Sequence, residues 1–108
     1  MEIRLLHKEY DPGHLENVKR EMASIGAPTI KGVWDEEEDC WFALEGCHRI
    51  RAAKELGLTP EMIEVEWEDH DKTLEEIGLD RENCGIYADK TLLDIVNEMI
   101  RESIAINF

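Results

Sequence analysis

A chain of 108 residues with 43% hydrophobic positions can build one modest core and is too apolar for a disordered segment. Twenty-six acidic against twelve basic side chains leave a formal charge of −14, which opposes the counterion release that drives duplex binding and argues against DNA or RNA as a partner. No apolar run approaches the ~20 residues that cross a bilayer, the opening MEIRLLHKEYDPG lacks the basic start and apolar stretch of a leader peptide, and three irregularly spaced cysteines point to a reducing, cytoplasmic setting without membrane contact.

In chain order, EIRLL (2–6) predicts a short strand. Asp11 as N-cap and Pro12 in the first turn predict a helix with Leu15, Val18, Met22 and Ile25 on one face, stopped by Gly26 and Pro28. TIKGVW (29–34) and CWFALE (40–45) predict two strands joined by the acidic turn DEEED. A second helix runs over 47–56 with Gly57 as its stop, and MIEVEW (62–67) predicts another strand.

Thr73 and Glu76 have capping-box spacing ahead of Leu74 and Ile77, with Gly78 closing a short helix. Thr91 and Asp94 open a last helix whose apolar residues are Leu92, Leu93, Ile95, Val96, Met99, Ile100 and Ile104. So wide an apolar surface predicts packing across a sheet, and the alternative use is a dimer through residues 91–104. The expected architecture is a single small α+β domain over 1–108, a mixed sheet with helices packed on it in the order β-α-β-β-α-β-α-α.

Chemistry concentrates in FALEGCHRIRAAKELG (42–57), where a strand meets a helix at Gly46. The first turn of a helix carries unpaired N–H groups and the positive end of its dipole, so it suits an anion. Gly46 removes the side chain that would hold an anion off, and His48 and Arg49 add donors, Arg as a planar fork for phosphate oxygens. Cys47 at that position gains thiolate character from the dipole and the adjacent cations. The same residues also fit plainer roles: a small buried cysteine, and Arg49 and Arg51 on a solvated helix face.

GCHRIRAA resembles the G-C-H-R signature of sulfiredoxin and, more broadly, the G-E-R-R-x-x-A-A box of ParB-type nucleotide-binding domains. IRLLHKEYDPGHLENVKREM, APTIKGVWDEEEDCWFALEG and TPEMIEVEW extend the likeness, so that it covers residues 2–68. The resemblance implies the ParB/sulfiredoxin fold, binding of ATP with Mg²⁺, and reduction of a sulfinic cysteine on a peroxiredoxin-like protein substrate. It implies Cys47 as nucleophile, Arg4 as a strand arginine beside it, Gly46 as the phosphate turn, and His48 and Arg49 as phosphate contacts. His14 stands where that family carries a nucleotide lysine, and Asn17 and Glu21 stand where it carries small hydroxyl residues along the same nucleotide site.

Three readings follow. One is a nucleotide-dependent sulfiredoxin-like enzyme. Another is a ParB-like nucleotide module, or a small-molecule kinase with Glu21 or Glu45 as base, working without cysteine chemistry. The last is a protein-interaction domain that keeps the fold and has lost the ligand.

Cys40, Cys47, His48, His70 and Cys84 lack any C-x2-C pair, so no structural metal is expected. Trp34, Trp41 and Trp67 are expected in strands, as core or edge cover rather than as a stacking platform.

Overall fold

Extended residues Glu2–Leu5 form β1, with Ile3 and Leu5 buried and Glu2 and Arg4 half-exposed, the alternation of a strand covered on one face. The computed structural model describes residues 1–6, 9–80 and 85–108. Helix α1 spans Pro12–Ile25, and the Asp11 side chain accepts from the amides of Gly13 and His14, so the expected cap is formed. Leu15 and Met22 are buried on the expected face, whereas Ile25 in the last turn is 83% exposed.

β2 (Thr29–Asp35) and β3 (Cys40–Ala43) pair as an antiparallel hairpin, Trp34 opposite Trp41 and Val33 opposite Phe42. The paired tryptophans meet edge to face at 5.4 Å between ring centroids. Helix α2 (Cys47–Leu56) ends at Gly57 in the left-handed region, as expected. β4 is shorter than MIEVEW: it spans Glu61–Glu64 and pairs in parallel with β2. Trp67 therefore leaves the strand and begins a 3-10 turn, Trp67–Asp69, where its ring stacks on His70.

Two expectations fail near the end of the chain. The Thr73–Glu76 capping box is made in both directions, yet the segment is a capped turn and no helix. Only a few residues separate the cap from Gly78, too few to offset the cost of nucleating a helix. Helix α3 (Leu92–Arg101) starts at Thr91, whose hydroxyl accepts from the Asp94 amide, and stops three residues before Ile104. Glu102 is extended, and Ile104–Asn107 is a strand, β5, antiparallel to β1. Ile104 fits the helical pattern because it lies four residues after Ile100, but its backbone is needed to complete the sheet edge. Among the described residues the observed order is β-α-β-β-α-β-α-β.

Among the described residues the protein is a small α+β fold with three helices and a five-stranded mixed sheet, in the order β4-β2-β3-β1-β5. Leu92, Ile95, Val96 and Met99 of α3 pack on one face with Val33, Cys40, Phe42 and the buried Leu74 and Leu79 of the capped turn. Ile50 of α2 packs on the other face with Ile3, Leu5, Ile30 and Ala43. α1 lies on α2, joined through Leu15, Met22, Ala52 and Ala53. The last helix thus packs across the sheet. Among the described residues no helix is long and apolar enough to cross a membrane.

Candidate functional site

The chain passes from β3 through Leu44 and Glu45 to Gly46, which takes φ +80° and so favours the one residue without a Cβ. Ile50 N–H donates to the Gly46 carbonyl at 2.8 Å, closing the first bond of α2. Glycine offers no side chain to cap the turn, and among the described residues no protein group accepts from the amides of Cys47 and Arg49. The start of α2 retains the donors that suit an anion.

These residues open on a cleft of about 880 Å³. α1 supplies His14, Val18, Glu21 and Met22 to its lining, the β3–α2 junction supplies Ala43 to Arg49, and α3 supplies Ile95 and Met99. Leu5, Leu6, Leu74 and Tyr87 extend the lining, so that one wall is apolar.

The expected site residues divide. Gly46, Cys47, His48, Arg49 and His14 line the cleft together. Asn17 is exposed on α1 and is not among the lining residues, although its neighbours on the helix surface, His14 and Glu21, are. Arg4 is a larger correction. It pairs across the sheet with Phe42, on the α3 face, while Cys47 packs with Ile3 and Ala43 on the α2 face. Strand alternation keeps Arg4 from the thiol it was expected to serve.

Arg4 instead donates to Glu2 at 3.0 Å and Glu38 at 3.1 Å, and lies 6.0 Å from the centroid of the Phe42 ring. Burial pulls its guanidinium down, and the bonds to Glu2 and Glu38 outweigh that and hold it above the ordinary range. The cysteine beside it is Cys40, fully buried, whose thiol burial pushes up to about 11 against the opposing pull of Arg4.

Gly46 also departs from expectation. A Cβ there would lie 2.5 Å from Ile30 Cδ1 and 3.3 Å from Arg49 Nη2. The missing side chain makes room for the protein's own groups, not for an anion. The amides of the following turn, rather than the glycine, are what a ligand would meet.

Arg49 donates through Nη2 to Glu45 Oε1 at 2.9 Å and through Nη1 to the Thr29 carbonyl at 3.0 Å. The Glu45 side chain is only 9% exposed. His48 Nε2 accepts from the Asp11 amide at 3.1 Å, which ties the start of α2 to the start of α1 and, in the neutral ring, puts the proton on Nδ1. The His14 and His48 rings meet edge to face at 4.6 Å. Sequence reasoning gives no hint of the Thr29 carbonyl or of Ile30 behind the bend, since both depend on how β2 passes α2.

Glu9, Glu21 and Glu45 line the same cleft, against one arginine among the described residues. Phosphates fit the donors of α2 and are repelled by these carboxylates, so the residues suit a phosphate carried with a divalent cation better than a bare one. Among the described residues no three His, Cys, Asp or Glu side chains gather as metal ligands; Cys84 lies outside the described residues.

Comparison with protein-family models, with curated proteins and with solved structures yields no match.

Proposed function

We propose that this chain is a nucleotide-binding domain of the ParB/sulfiredoxin kind that takes ATP with Mg²⁺ in the cleft at the start of α2. The observation that carries this reading is the uncapped first turn, with the Cys47 and Arg49 amides unclaimed among the described residues, opening on a cleft with an apolar wall. The phosphates meet the helix donors and the dipole, and the base meets the apolar wall that Leu5, Leu6, Leu74 and Tyr87 extend. Magnesium would supply charge neutralisation between the phosphates and Glu9, Glu21 and Glu45. Likeness of the GCHR box to that family supports the same reading.

The measurement is a thermal-shift panel of ATP, ADP and CTP with and without Mg²⁺, since a ligand that binds the native state raises its melting point. A shift with Mg²⁺ that is lost in Arg49→Ala supports the reading; no shift with any nucleotide rejects it and leaves the protein-interaction reading.

The position of Cys47 favours a second, finer reading. It is half-buried, lines the cleft and occupies the first helical position. In sulfiredoxin-type chemistry ATP phosphorylates a sulfinic acid, the thiolate attacks the sulfinyl sulfur and releases phosphate, and an external thiol reduces the resulting thiosulfinate. Arg4 takes no part in this version. Loss of sulfinic acid from a peroxiredoxin that needs ATP and vanishes in Cys47→Ser supports it. Nucleotide binding unaffected by Cys47→Ser, with no sulfinic loss in wild type, leaves a module without cysteine chemistry.

A further inference from the structure

The ion pair at the start of α2 sits in an unusual place for a phosphate site. Among the described residues Arg49 is the cation best placed to greet an anion there, yet its guanidinium is already spent: Glu45 takes Nη2 and the Thr29 carbonyl takes Nη1. The two partners are unequally covered, with 32% of the Arg49 side chain exposed and 9% of the Glu45 side chain. Among the described residues Arg49 is the cation paired with Glu45, so an anion that draws Arg49 away leaves a covered carboxylate without its counter-charge. Removing one partner of such a pair is strongly unfavourable. Glu9 and Glu21, on the same cleft, add to the repulsion and carry no ion pair of their own among the described residues.

We propose that Glu45 is an anion gate. Its pairing with Arg49 refuses a free phosphate and makes binding at the start of α2 depend on a divalent cation, which replaces the guanidinium as partner of the carboxylate and releases it to the phosphate. The inference rests on the nucleotide reading above and names what that reading leaves open: Glu45 is the specificity-determining residue that selects the metal complex over the free nucleotide. Gly46 belongs to the device, since a Cβ there would press on Arg49 Nη2.

The test compares ATP alone, Mg²⁺ alone and Mg²⁺ with ATP on the wild type, Glu45→Gln, Glu21→Gln and Glu45→Gln/Arg49→Gln, read as dissociation constants by calorimetry. Wild type is expected to bind ATP only with Mg²⁺. Glu45→Gln is expected to tighten Mg²⁺-free ATP by about tenfold or more, the equivalent of one freed charged contact. Glu21→Gln removes the same charge from the cleft without touching Arg49 and is expected to change it by less than about threefold. In the double variant the gain disappears, because it runs through Arg49.

Equal gains in Glu21→Gln and Glu45→Gln, or a gain that survives in the double variant, overturn the gate in favour of plain charge repulsion. Tight Mg²⁺-ATP binding by wild type with no gain in Glu45→Gln overturns the gate and leaves the nucleotide reading standing. Absence of binding in every variant overturns both. Should Glu45→Gln fail to fold, Glu45→Asp, with its shorter reach to Arg49, is expected to show a smaller gain of the same sign, and no gain there counts against the gate.

Discussion

Ile30 Cδ1 occupies the space beside Gly46 so closely that a Cβ on the glycine would lie 2.5 Å from it. Two penalties therefore act on Gly46→Ala: a left-handed backbone at φ +80° and a collision with a fully buried side chain. The first costs about 1–2 kcal/mol and overpacking about 1–3 kcal/mol. Denaturant unfolding of Gly46→Ala is expected to show a loss of about 2–5 kcal/mol. Ile30→Val in the same chain should recover part of it, and strictly additive losses would mean that the contact is not the cause.

The two described cysteines should differ in reactivity. Cys40 is fully buried with its thiol pushed up to about 11, while Cys47 is half-buried on the cleft. In a Cys84→Ser background at neutral pH, a maleimide is expected to label Cys47 and spare Cys40. Arg4→Ala should leave the Cys47 rate unchanged, since Arg4 lies on the other face of the sheet; a marked change would place Arg4 beside Cys47 after all.

Cys40 also sets a direction for stability against pH. Its unfolded thiol ionises near 9 and its folded thiol near 11, so over that interval the unfolded chain has lost a proton that the folded chain keeps. Stability contributed by the buried neutral thiol is full below about pH 9 and falls as pH rises toward 11. Urea titrations at pH 8, 9, 10 and 11 are expected to show that decline in wild type and a flatter profile in Cys40→Ala; parallel profiles would remove Cys40 as its source.

His48 joins two helices by accepting from the Asp11 amide. His48→Ala is expected to cost about 0.5–1 kcal/mol, the net worth of one neutral hydrogen bond near the surface. Asp11→Ala, which removes the cap on Gly13 and His14, should cost about 1 kcal/mol. Nitrogen chemical shifts of the neutral imidazole should place its proton on Nδ1; a proton on Nε2 would contradict the bond.

Much of the framework was legible because local signals dominate there. Asp11-Pro12 and Gly26 bound α1, Gly46 and Gly57 bound α2, and Thr91 caps α3, each through a bond or dihedral a few residues away. The failures are of another kind. β5 carries only Ile104 and Ile106 as inward positions, and it becomes a strand by pairing with β1 a hundred residues earlier. Residues 73–78 hold a sound cap whose helix is too short to propagate, so the strong local signal misleads. In the cleft, residue types around Gly46 were readable, but facing was not. Arg4 is one peptide unit from the buried Leu5, and that single step decides which side of the sheet it serves.

The pairing of β1 with β5 has a consequence for how the chain is made. Leu5 finds its neighbour Ile104 only after the residues between them have been synthesised. Until then one side of β1 displays unsatisfied backbone, the template on which other chains can add. A nascent chain arrested before residue 104 is expected to recruit chaperones or aggregate, whereas one carried past Asn107 covers β1 and leaves only the four-residue β5 as its margin.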